Sequence, residues 1–82
     1  MKELINSIRN NEFIFSMSER SSQLLMSELN LIETSDDIKS IGDVYQYFND
    51  LLIDEVDEER ITSNEAFDII TIITLAHRSI AR

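Results

Sequence analysis

The sequence predicts an all-α fold, a compact bundle of three or four antiparallel helices, and three observations carry that prediction. Proline is absent from the 82 residues and glycine occurs once, at Gly42, so the strongest interrupters of helices are missing. Apolar residues recur at intervals of three and four along successive segments, the spacing that gathers them on one side of a helix. At the head of two such segments a hydroxyl residue is followed three positions later by glutamate, a pairing that satisfies the unpaired backbone groups of a helix start.

The first helix is predicted from Lys2 to Asn10, with Leu4, Ile5 and Ile8 on one face and Asn10-Asn11 as a stop, although Phe13-Ile14-Phe15 could extend it. Ser16-Met17-Ser18-Glu19 reads as a capping box opening a second helix from Met17 to about Glu33, in which Leu25, Leu29 and Ile32 form the stripe, flanked by Leu24 and Leu31. Thr34-Ser35-Asp36-Asp37 reads as a turn. A third helix from Ser40 to about Asp57 carries the best stripe, Ile41, Val44, Phe48, Leu51 and Leu52. Thr62-Ser63-Asn64-Glu65 is a second capping box, opening a fourth helix from about Ser63 to Arg82, whose Arg78 and Arg82 suit the negative end of the helix dipole.

One segment conflicts locally. Ile69-Ile70-Thr71-Ile72-Ile73-Thr74 is β-branched throughout, a composition that favours a strand. The helix is preferred because a cap precedes it, the apolar pattern continues to Ile80, and no neighbouring segment offers a strand to pair with. The predicted centre of the bundle is Leu25, Leu29, Ile32, Val44, Phe48, Leu51, Ile70 and Ile73.

The length fits one helical domain over residues 1–82, near the lower limit for a core without covalent staples. Cysteine is absent, so disulfides and thiolate metal sites are excluded and packing must supply the stability. With 43% hydrophobic residues the chain should fold rather than remain disordered. Sixteen acidic residues against seven basic ones give a formal net charge of −9, which repels phosphate backbones and anionic lipid and argues against direct nucleic-acid binding. The longest apolar-rich run, Ala66 to Ala76, is broken by Asp68, Thr71 and Thr74 and falls short of the roughly 18 apolar residues of a membrane span. Met1 to Asn6 lacks the features of a secretory signal, and a cytoplasmic location is the expectation.

At about 100° per residue, Asp43, Asp50, Asp54 and Asp57 align opposite the apolar stripe of the third helix, forming an acidic ridge. Its functional reading is a surface for a basic protein partner, with Tyr47 beside it as an aromatic anchor; its bland reading is a solvated helix face. Tyr45 borders the stripe and is assigned to packing. On the fourth helix Ala66, Phe67, Ile69, Ile70, Ile73, Ala76 and Ile80 form a broad apolar face, while Ile72 and Leu75 are read as pointing the other way, as a dimer contact or a second interface. His77, the single histidine, lacks companions at metal-ligand spacing and is read as packed. The run Asp54-Glu55-Val56-Asp57-Glu58-Glu59 lacks the central glycine and ligand order of a calcium loop and is read as solvated charge that frays.

No glycine-rich phosphate loop, nucleophile elbow or cysteine dyad is present, so no enzyme, cofactor or metal is expected. The leading functional expectation is a small acidic binding protein that neutralises or inhibits a basic protein. The chain resembles immunity proteins, antitoxins and phage-encoded inhibitors in size, charge and helicity, and in no family-specific motif. The alternative is a structural or assembly component, such as a secretion chaperone or adaptor, acting by homodimerisation or by capture of a partner helix. A helix-turn-helix regulator is disfavoured because Ser35 to Asp50 is acidic where a reading helix is basic.

Overall fold

Each of the three long helices begins at a hydroxyl group. In the computed structural model, which describes residues 2–81, Ser18 precedes helix α2 (Glu19–Glu33) and accepts the Ser21 amide. Ser40 precedes α3 (Ile41–Asp57), and Thr62 precedes α4 (Ser63–Ile80). The Thr62 capping box is complete: Glu65 donates its amide to Thr62 Oγ1 at 3.2 Å, and its carboxylate accepts the Thr62 amide at 2.8 Å. A second complete box joins Ser40 and Asp43, a pairing that the sequence reading passed over by placing Asp43 on the ridge. The box expected between Ser16 and Glu19 does not form. Ser16 instead closes a 3-10 turn over Glu12–Ser16, capped by the Asn11 side chain on the Phe13 amide, so α2 begins two residues later than that box implies.

A shorter helix, α1 (Lys2–Arg9), comes first and buries Leu4, Ile5 and Ile8 as expected. Helix α4 is the central element, packed against α1, α2 and α3. Its β-branched run is helical. Burial of Ile69, Ile72 and Ile73 is complete and contributes about 1.5–3 kcal/mol per side chain. The helix-propensity penalty of each is under about 0.7 kcal/mol, so packing decides the conformation. Thr71 and Thr74 donate back to the Phe67 and Ile70 carbonyls at 2.8 and 2.9 Å, which keeps their hydroxyls bonded within the helix.

Helices α1 and α3 run antiparallel to α4. Leu4 of α1 lines a cavity with Ile80, and Ser7, three residues later in α1, donates to the carbonyl of Ala76, four residues earlier in α4; Tyr45, early in α3, meets Thr74, late in α4. The starts of α2 and α4 are joined by Ser18 and Arg20, which bond Glu65. The acidic run over residues 54–59, expected to fray, forms the last turn of α3 and closes it as a Schellman turn: the Arg60 amide reaches the Glu55 carbonyl at 2.9 Å, with Glu59 at φ 59° in the left-handed region that glycine usually fills. Six of the eight residues expected at the centre are buried, whereas Leu51 and Ile70 sit at its edge. Among the described residues no helix is long and apolar enough to cross a membrane.

Candidate partner-binding surface

The solvent side of α3 follows from its periodicity. With Val44, Phe48 and Leu52 buried against the rest of the bundle, residues about half a turn away must face water. Asp50, Asp54 and Asp57 do so, all exposed and on one side. None joins an ion pair among the described residues. The ion pairs among the described residues lie elsewhere: Arg9 with Glu33, Arg20 with Glu65, and Arg60 with Glu55. Arg60 feels Asp54 and Glu58 only through longer-range attraction.

Asp43 stays on this side of α3, lining a shallow surface hollow with Tyr47 and Asp50, but it is engaged. Its carboxylate accepts the Lys39 amide at 3.0 Å and the Ser40 amide at 3.2 Å, so it caps α3. The Lys39 hydrogen bond is the main reason that its pKa lies below the usual carboxylate range. The ridge therefore comprises three carboxylates without an ion pair among the described residues, beside a fourth, Asp43, that is engaged in capping. Tyr47 lies beside them, as expected, but half-buried, and its hydroxyl donates to Glu28 of α2. That bond, with burial and the Glu28 charge adding to it, pushes the phenol up to about 12. Tyr47 thus ties α3 to α2, and only its exposed edge is left for a partner.

The proposed second interface changes more. Ile72 is 0% exposed and belongs to the core. The physical reason is angular: three residues beyond Ile69, at about 100° each, it lies within about 60° of the buried stripe, inside an arc that three surrounding helices cover. Leu75, one step further round, is 38% exposed and has no equally exposed apolar companion on its own flank. Phe67 moves in the opposite sense. Assigned to the core face, it stands 70% exposed.

Phe67 forms one lip of an open apolar groove of about 590 Å³ between the second half of α3 and the first half of α4. Ile53, 61% exposed, forms the other lip, and Leu52, Val56, Ala66 and Ile70 make the floor and walls. The sequence reading missed this site, although one signal was there. Ile53 falls outside the stripe of its helix, four residues before Asp57, a large apolar side chain on an otherwise polar flank.

Tyr45 and His77 pack, as their positions imply: their rings meet edge-on with centroids 6.3 Å apart, and the Tyr45 hydroxyl donates to Thr74 at 3.2 Å. Among the described residues no group of three or more His, Asp or Glu side chains converges as a metal site. The chain matches no protein-family model, no curated protein and no solved structure.

Proposed function

We propose that the protein is a small, non-enzymatic, acidic binding protein that neutralises or inhibits a basic protein partner, in the manner of an immunity protein, antitoxin or phage-encoded inhibitor. The observation that carries this reading is the set Asp50, Asp54 and Asp57, exposed together on α3 without an ion pair among the described residues, while the one arginine near them, Arg60, is held by Glu55. Unpaired like charges on one face repel each other mildly and add nothing to stability. They complement a cationic surface, raise the rate of productive encounter and exclude acidic competitors.

The test compares the native protein with D50N/D54N/D57N as bait in a native lysate. The native bait should retain proteins of high isoelectric point at low salt and release them at about 0.5 M salt, where screening extends to a few ångströms. Against a purified captured partner, the triple variant should associate roughly tenfold to a hundredfold more slowly at low salt. Equal retention by both baits, or retention insensitive to salt, would refute the reading.

A further inference from the structure

We infer that the groove between α3 and α4 receives an amphipathic, basic α-helix of the partner, its apolar face seated between Ile53 and Phe67 and its cationic flank against Asp50, Asp54 and Asp57. This rests on the reading of the ridge given above and names what the ridge recognises. The two features are continuous. At about 100° per residue, Ile53 lies about 40° from Asp57 and about 60° from Asp50 around α3, so the groove's lip is the ridge's neighbour. Asp57 itself lines the groove.

Shape and charge together select the occupant. The α3 side of the groove runs from Asn49 to Asp57, about 12 Å along the helix axis, or just over two turns. A furrow between two antiparallel helices accepts the side-chain ridge of a third, with anchors spaced at i, i+3 or i+4, and i+7. A peptide added as a β-strand would need a free strand edge, and the described residues form no strand. A second copy of this chain is disfavoured by charge: a two-fold contact here would bring each ridge near its own copy in a molecule of net charge −9. A helix with lysine or arginine along one edge of its apolar stripe meets both requirements.

The probe is an 18-residue peptide of leucine and lysine with leucine at i, i+3, i+4 and i+7 spacing. Its controls are a scrambled peptide of the same composition and the same stripe with glutamate in place of lysine. The proteins are the native chain, I53S/F67S and D50N/D54N/D57N, all substituted at exposed positions. The native chain should bind the striped lysine peptide at least tenfold more tightly than either control, with NMR shifts concentrated at Asn49, Ile53, Val56, Ala66 and Phe67. I53S/F67S should lose more than tenfold in affinity, and the triple variant should lose affinity together with salt dependence.

Unchanged affinity in I53S/F67S, or equal binding of the scrambled peptide, overturns the groove assignment and leaves the ridge reading standing. Unchanged affinity in the triple variant overturns the ridge reading while the groove remains an apolar dock. A native dimer in sedimentation that dissociates in I53S/F67S makes a second copy the occupant and overturns the inference.

Discussion

The seam between α3 and α4 is bridged by side chains at one end and left as a wide groove at the other. Where α3 begins and α4 ends, the Tyr45 hydroxyl bonds Thr74, the tyrosine ring meets His77, and Leu4 of α1 joins Ile41 and Ile80 around a cavity of about 290 Å³, half the volume of the groove at the other end. Where α3 ends and α4 begins, Ile53 and Phe67 stand apart over an uncovered apolar floor. Both ends belong to the same pair of helices, so helix propensity does not explain the difference. What differs is cover. Helix α1 lies along the second half of α4, and the start of α2 is fastened to Glu65, on nearly the opposite side of α4 from Phe67. Three helices around one centre leave a flank exposed, and that flank adjoins the unpaired carboxylates.

The largest effect that sharpens this contrast comes from two substitutions on α4. Ile72→Asp should unfold the protein, because an unpaired charge in a closed core costs more than a domain this small can spare, about 4 kcal/mol or more. Leu75→Asp should change stability by less than about 1 kcal/mol. Urea denaturation followed by circular dichroism checks both, and a folded Ile72→Asp protein would return Ile72 to the surface.

Glu65 comes next. Its carboxylate accepts from Arg20, Ser18 and the Thr62 amide, and Arg20 chiefly holds its pKa far below the usual range. Glu65→Gln should remove about 2 kcal/mol at neutral pH. A depressed folded-state pKa stabilises above the ordinary carboxylate value of about 4.3 and is lost as the pH falls. The difference between native and variant should therefore be constant above about pH 5 and shrink below about pH 4, read from unfolding midpoints across that range.

Two smaller effects, each about 1 kcal/mol, act on either end of the seam. Tyr45→Phe should destabilise by roughly that amount through loss of the Thr74 bond. Glu59→Gly should stabilise by up to about that amount, since the residue after α3 sits at positive φ, where a side chain is strained. Thermal melts resolve both signs.

Which features were legible in the sequence follows from how local they are. The Thr62 and Glu65 box, the stripe of α3 and the alignment of Asp50, Asp54 and Asp57 each depend on residues within a few turns of one another, and each was readable. Ser40 and Asp43 were equally local, yet the same aspartate also fitted the ridge, and capping took it. Ile72 and Phe67 exchanged roles because their burial depends on where three other helices lie around α4, which no single-helix pattern encodes. Likewise the bonds from Arg20 to Glu65 and from Tyr47 to Glu28 join residues far apart in sequence. The groove needed both helices to be placed before it existed.

The central claim is that the molecule carries a charged surface its own fold does not use. The direct measurement is the unfolding free energy of D50N/D54N/D57N beside its capture of the basic partner. Stability equal to native or slightly higher, as mutual repulsion is relieved, together with lost capture, is the predicted result. A loss of more than about 1 kcal/mol with capture intact would make the ridge part of the fold and contradict the account.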